Sequence, residues 1–362
     1  MRTDPHGPEA IRPGPMLDDI LRQPDTLAKL LARRAEFSEF GAERLCPGPM
    51  GRTYLVGSGD GWFAARALVP HAMPDLHATG RPTLGFLVED VPTLGSEDRV
   101  LLISMSGDVD RTFEAAQAAF SKGASVSLLT NGEGGRVGGL GVPRISLDLA
   151  GLAPFLCGTA SYTATLAALA LLVSENGPPE DTPETLTAVC ESALSVVPDW
   201  PLNPPGLRYL AVGSGLATAD YGAAKIVEVG SAPVWTDDLE EFAHRQFWTF
   251  SPDEFVVFLS SDELTAHYAN AAAEALGEFG VETAAVSAAG AGVRNASSAI
   301  DLPTAPPILL PLLAAPPLQI YAYRHGFASG LDPNRRLHLK EDVKRFATSR
   351  KLTRRSLLDT GR

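Results

Sequence analysis

Cysteine is nearly absent. Cys46, Cys157 and Cys190 are the only three in 362 residues, with no CxxC pair and no metal-ligand spacing. That excludes a disulfide framework and a thiolate metal site, and it points to a reducing compartment, the cytoplasm. No cofactor or metal is expected. Positive charge is in the minority, 30 Lys and Arg against 43 Asp and Glu for a net −13, which argues against a nucleic-acid partner. The opening Met1-Arg-Thr-Asp-Pro-His-Gly-Pro8 lacks the apolar run of a secretion signal. Long apolar runs are few. Residues 155–173 approach spanning length, but Cys157-Gly-Thr-Ala-Ser-Tyr-Thr-Ala-Thr165 is small and hydroxylated, as in a buried core helix. The run 302–323 holds six prolines, which would break a spanning helix, so no membrane association is expected. Basic residues concentrate only at 335–362, ten against three acids. This is either a solvated tail or a source of positive charge for an anionic substrate.

What is present is a duplication. Tyr54-Leu-Val-Gly57-Ser58-Gly59 and Tyr209-Leu-Ala-Val-Gly213-Ser214-Gly215 each follow an apolar run and precede an Ala-rich helical stretch. Val100–Ser106 is echoed by Phe255–Ser261, and the helical stretch Phe113–Phe120 by Tyr268–Leu276. Strands alternating with helices predict an α/β fold of two tandem domains, each a doubly wound parallel sheet with ligand sites at the carboxyl ends of its strands. Thr53–Val56, Thr83–Leu87, Val100–Ser104 and Ser125–Leu129 are the strand candidates of the first unit. A helical repeat over Met16–Glu36 is interrupted by Pro24. The expected division is a disordered N-terminus at 1–16, a first domain with its entry helix at 17–175, and a linker with a helix at 176–206. A second domain follows at 207–330, then a basic tail at 331–362.

Three segments carry candidate chemistry. Ser104-Met-Ser106-Gly107-Asp108 ends a buried strand and opens a helix. Hydroxyls and free helix N–H groups there suit a phosphate or carboxylate, although Ser and Asp also serve as ordinary helix caps. Gly57-Ser58-Gly59-Asp-Gly61 matches only part of a dinucleotide fingerprint, with the third spacing wrong and no acid at a strand end further on. Tyr221, Lys225 and Glu228 share one helix face, and Asp237–His244 gathers carboxylates, an imidazole and, beside them, Trp235 in what reads as a loop.

Together these residues resemble a pair of sugar isomerase (SIS) domains, as in the isomerase half of glucosamine-6-phosphate synthase and its free-standing relatives. Four segments carry the likeness over about residues 16–345: Met16–Pro24 with its Ile-x-x-Gln-Pro, Ser104–Asp108, Lys225-Ile-Val-Glu228 spaced fifteen residues from His244, and Pro316–Tyr323 followed by Gly330–Lys340. The resemblance implies an enediol mechanism. His244 would open the sugar ring, Glu228 would carry the proton between C1 and C2, and Lys340 would stabilise the oxyanion or form a Schiff base. Gly57, Ser58, Gly59, Ser104, Ser106 and Asp108 would hold the phosphate, Ser161 would contact the sugar, and Lys225 would also bind the substrate or its phosphate. It also implies a homodimer, with the His supplied by the neighbouring subunit. The match has departures. Asp108-Val109 replaces Glu-Thr, Gly59 replaces Ser, Met105 replaces a polar residue, and Thr163 replaces a Lys. Met1-Arg2 opens no glutaminase domain. The expected activity is a sugar-phosphate aldose–ketose isomerase or amino-sugar-phosphate isomerase–deaminase. A deglycase of amine–sugar phosphate adducts and a non-catalytic sensor are the alternatives.

Overall fold

A computed structural model describes residues 11–153 and 156–354. The expected loose N-terminus therefore lies outside the described residues up to position 10, as does the end of the basic tail from 355. Three helices open the chain: α1 (Pro15–Leu21), α2 (Gln23–Leu31) and α3 (Arg34–Arg44), so the single repeat read over Met16–Glu36 is broken at Arg22, just before Gln23-Pro24.

The first sheet has five parallel strands, β1 (Thr53–Gly57), β2 (Thr79–Pro82), β3 (Arg99–Ile103), β4 (Ser125–Thr130) and β5 (Arg144–Ser146), in the order β2-β1-β3-β4-β5. The connections are α4 (Asp60–Leu68), the short turn α5 (Thr83–Gly85), α6 (Asp110–Ser121) and the short turn α7 (Gly135–Gly138). Val56, Leu102, Leu128 and Phe86 anchor its core. The order of strands reverses between β1 and β3, and ligands gather at such switch points. The strand expected at Thr83–Leu87 is a correction. The strand is Thr79–Pro82, and Thr83 begins a helical turn. Proline at 82 favours extended backbone at Arg81 before it, and the apolar run after it had no period to separate strand from helix.

After α8 (Ala160–Val173) and α9 (Thr182–Val196), the second sheet repeats the first. Its strands are β6 (Leu207–Ala211), β7 (Val234–Asp238), β8 (Phe255–Ser260), β9 (Glu282–Ser287) and β10 (Ser298–Asp301), ordered β7-β6-β8-β9-β10 and all parallel. Its helices are α10 (Ser214–Gly230), α11 (Leu239–His244), α12 (Glu263–Gly277) and α13 (Leu310–Ala328). Strand β8 is buried along its whole length, which is why Phe255–Leu259 reads as an unbroken apolar run. The duplication extends to backbone angles: Gly59 before α4 lies at φ 55, ψ −125 and Gly213 before α10 at φ 58, ψ −126. Only glycine takes that conformation cheaply, so both turns keep it. The described residues end in α14 (His338–Glu341) and α15 (Val343–Arg354).

The two compact units interleave along the chain. Among the described residues, 11–25, 151–153, 156–160 and 181–337 form one, and 26–150, 161–180 and 338–354 the other. The expected boundaries, 17–175 and 207–330, run in simple order. The entry segment joins the second sheet's unit because Gln23 Nε2 donates to Gln319 Oε1 on α13 at 2.7 Å and Asp19 Oδ2 accepts from the Ala160 N–H at 3.0 Å.

Helix α13 contains Pro316 and Pro317. Pro311, in the first turn, costs no bond, and burial of 16 of the 19 residues outweighs the two bonds lost later. It packs against α10 at close range. A Cβ on Gly222 would stand 2.8 Å from Leu318, and one on Gly230 would stand 2.4 Å from the His325 ring. His325 is buried, and among the described residues neither ring nitrogen has a hydrogen-bond partner. Burial pushes it down to about 4 from its ordinary 6.5. The folded state thus binds this proton less readily than the unfolded chain. Its contribution is intact above pH 6.5, drains as the pH falls, and reaches about 3 kcal/mol of lost stability near pH 4. Urea titrations at pH 7 and pH 4.5 should show a smaller acid loss in His325→Leu than in the parent protein. An equal loss in both would remove His325 from that role.

Candidate functional site

At the switch point of the first sheet, β1 ends at Gly57 and β3 ends at Ile103, which are paired residues. Ser58 and Ser104 therefore leave neighbouring strand ends together. Ser104 Oγ accepts from the Gly107 N–H at 3.1 Å, and Ser106 Oγ accepts from the Asp108 N–H at 3.2 Å. The serines fold the loop on itself; neither caps α6, whose flanking residue Val109 supplies no side-chain bond. Gly107 sits at φ +63, and a Cβ on it would fall 1.8 Å from the Gly134 carbonyl. Asp108 is tied down as well, its Oδ1 accepting from the Arg136 N–H at 2.9 Å. What remains exposed is the Ser58 and Ser106 side chains, beside the first turn of α4 behind Gly59. Hydroxyls and helix N–H groups of this kind suit an anion. Thr83, itself buried, lies beside them, its Oγ1 2.8 Å from Ser58 Oγ. Ser161 occupies the first turn of α8, half-buried, and its carbonyl accepts from the Thr165 hydroxyl.

The other unit holds a carboxylate between two cations. Glu228 lies near the end of α10 with its side chain 32% exposed. Lys225 Nζ is 2.7 Å from Oε1, and Arg336 Nη1 is 2.6 Å from Oε2. Lys225 is fully buried, and its Nζ also sits 5.1 Å from the centre of the Tyr221 ring. Tyr221 donates its hydroxyl to the Gly158 carbonyl at 2.7 Å and accepts from Gln319 Nε2 at 2.8 Å. Gln319 in turn receives Gln23. Entry segment, α13 and α10 are thus joined by one buried polar chain that ends beside Glu228. Buried polar groups partnered in this way fix a single arrangement.

The stretch Asp237–His244 is not the expected loop. Asp238 ends β7 and caps α11, accepting from the N–H groups of Glu240 at 3.0 Å and Glu241 at 3.4 Å. Asp237 is buried and paired with Arg245. The carboxylates read as possible chemistry there shape the helix instead. His244, the last residue of α11, is 65% exposed and has Glu240 at 4.0 Å. Lys340 is exposed on α14. Cys190, also buried, has its thiol pushed up to about 12 by desolvation, which leaves it unreactive at neutral pH. Among the described residues no group of His, Cys, Asp and Glu is arranged to hold a metal, and no helix is long and apolar enough to cross a membrane.

No family model matches the chain. The glutamine–fructose-6-phosphate aminotransferase (isomerizing) of Pyrobaculum aerophilum is 25% identical over 353 residues, spanning 91% of this chain and 57% of that protein. The chain is therefore little more than half as long as this curated relative. Tagatose-6-phosphate ketose/aldose isomerase from Escherichia coli superposes with a TM-score of 0.73 at 18% identity, over 89% of this chain and 94% of that one. Glucosamine-6-phosphate deaminase from Thermotoga maritima does so with a TM-score of 0.69 at 14% identity, over 88% and 96%. The chain shares the fold of these structures, that of tandem sugar isomerase domains.

Two residues escaped the reading of the sequence, Thr83 beside Ser58 in one unit and Arg336 beside Glu228 in the other. Thr83 was masked by the misplaced strand. Arg336 stood inside a quoted motif without a role, since its contact with Glu228 spans 108 positions. Its backbone lies in the left-handed region, at φ 47, which no local signal announces in an arginine.

Proposed function

We propose that the chain is a sugar-phosphate aldose–ketose isomerase or an amino-sugar-phosphate isomerase–deaminase working through an enediol or enediolamine. The observation that carries this reading is the Glu228 carboxylate held between Lys225 and Arg336. Moving a proton between C1 and C2 needs one base within reach of both carbons. It also needs positive charge for the oxyanion that forms as the proton leaves. Once Glu228 takes the proton it no longer neutralises Lys225 and Arg336, and both can turn to that oxyanion. The hydroxyls of Ser58, Thr83, Ser104 and Ser106, with the first turn of α4, are the groups suited to the phosphate. Gly57 and Gly59 shape that turn, and Asp108 braces the loop from behind. Ser161 is assigned a sugar hydroxyl.

Lys340 is assigned to the oxyanion or to a Schiff base with the ketose carbonyl. His244 is assigned to ring opening. Its exposure at the end of α11 supports a site completed by a second copy of the chain, hence a homodimer. Free cysteines at 46, 157 and 190 fit a cytoplasmic setting. The named relatives act on fructose 6-phosphate, tagatose 6-phosphate and glucosamine 6-phosphate, and the Met105, Val109 and Gly59 departures favour a substrate other than fructose or glucosamine 6-phosphate. A product-detected screen of hexose, hexosamine and glycated-amine phosphates tests the reading. Aldose–ketose conversion or ammonia release supports it. Amino acid release selects the deglycase instead. Binding without turnover across the panel selects the sensor.

A further inference from the structure

The turn that carries Arg336 is fastened to the N-terminal strap, residues 12–16. Met16 donates its backbone N–H to Asn334 Oδ1 at 2.9 Å, and the Asn334 N–H donates to Asp332 Oδ1 at 3.0 Å. Gly14 passes so close that a Cβ there would lie 2.6 Å from Asn334 Nδ2, 2.7 Å from its Oδ1 and 2.8 Å from the Tyr323 hydroxyl. Tyr323, buried on α13, hydrogen-bonds Asn334 and donates its hydroxyl to the Arg12 carbonyl at 2.8 Å. The Arg12 guanidinium lies over the Phe327 ring at 5.0 Å. On the other side of the turn, the Arg336 N–H donates to the Asp332 carbonyl at 2.8 Å. Left-handed backbone at a residue with a long side chain persists only where its surroundings over-determine it. Here the strap supplies that constraint, and the side chain it aims reaches Glu228.

We propose that Gly14, Asn334 and Tyr323 form a clasp that positions Arg336 on Glu228 and thereby governs the proton transfer without touching the sugar. The proposal rests on Glu228 being the base. Asn334, Gly14 and Tyr323 are positioning residues, and a small misplacement of a catalytic group is enough to slow chemistry strongly.

A double-mutant cycle in the full chain tests it. Asn334→Ala should lower kcat about ten-fold or more while KM moves little. Asn334→Asp, which retains the Oδ1 acceptor, should recover most of that loss. In an Arg336→Ala background, Asn334→Ala should cost nothing further, because the clasp acts through Arg336. Losses that multiply, or wild-type kcat in Asn334→Ala, overturn the proposal. Gly14→Ala probes the same contact from the strap should Asn334→Ala not fold. A readout free of substrate accompanies the kinetics. In protein carrying 15N-arginine, the Arg336 guanidinium protons should exchange with water about ten-fold faster when Asn334 is Ala, since the bond to Glu228 is loosened. Unchanged exchange overturns the clasp. Full activity in Glu228→Gln would instead remove the assignment of the base, and the exchange result would then decide the clasp by itself.

Discussion

Glu228→Gln should fold and lose turnover by about 10²–10⁴-fold, the range that a positioned general base supplies. The amide keeps the size of the side chain and an oxygen for Lys225 and Arg336. It cannot take the proton alpha to the carbonyl. Glutamine is the informative choice because alanine would leave Lys225, which is fully buried, with neither a counter-charge nor an acceptor at that place. Breaking a fully buried pair from one side costs about 3–5 kcal/mol, and even part of that for this half-buried one is enough to blur a kinetic effect with a folding one. A circular dichroism melt beside the activity assay separates the two. An active Glu228→Gln enzyme would remove this residue from the chemistry.

Gly107→Ala should damage the anion loop and leave the Glu228 cluster, which lies on the other compact unit, in place. The new Cβ would meet the Gly134 carbonyl at 1.8 Å, on a backbone already at φ +63. Left-handed strain and overpacking together cost about 2–5 kcal/mol unless the loop shifts. Shifting the loop misdirects Ser104 and Ser106, so the phosphate loses hydrogen bonds worth about 1.5–3 kcal/mol each. Isothermal titration with inorganic phosphate or with the substrate found in the screen should show affinity reduced about 100-fold. Ser106→Ala, which leaves the backbone alone, should cost about ten-fold by the same bond energies. Native affinity in both variants would place the anion elsewhere.

The parts of the molecule that could be read from the sequence are those set by local rules. Gly59 and Gly213 announce their turns because so few residues tolerate that backbone. Phe255–Leu259 announces a buried parallel strand by its unbroken apolar run. Lys225 and Glu228 fall on one face because three residues make nearly one helical turn. Where the reading failed, distant or competing effects decided. Pro82 divided an apolar stretch into strand and helix, which hid Thr83. Burial on nearly every side kept α13 helical through two prolines. Asp237 and Asp238, read as part of a possible catalytic loop, are occupied with Arg245 and with the start of α11. Arg336 reaches Glu228 only because a turn near the C-terminus is clasped by Gly14 near the N-terminus, and no sequence period records that meeting. The fold was therefore legible almost whole, and the candidate site in half: the carboxylate and its lysine, but not the arginine opposite.

The central claim is that Glu228 moves a proton between adjacent carbons of a sugar phosphate. Solvent isotope exchange measures that step directly. In D2O the protein should place deuterium at C2 of the aldose or C1 of the ketose among hexose and hexosamine phosphates, and Glu228→Gln should not. Turnover without deuterium uptake, or equal uptake in the variant, would contradict the account.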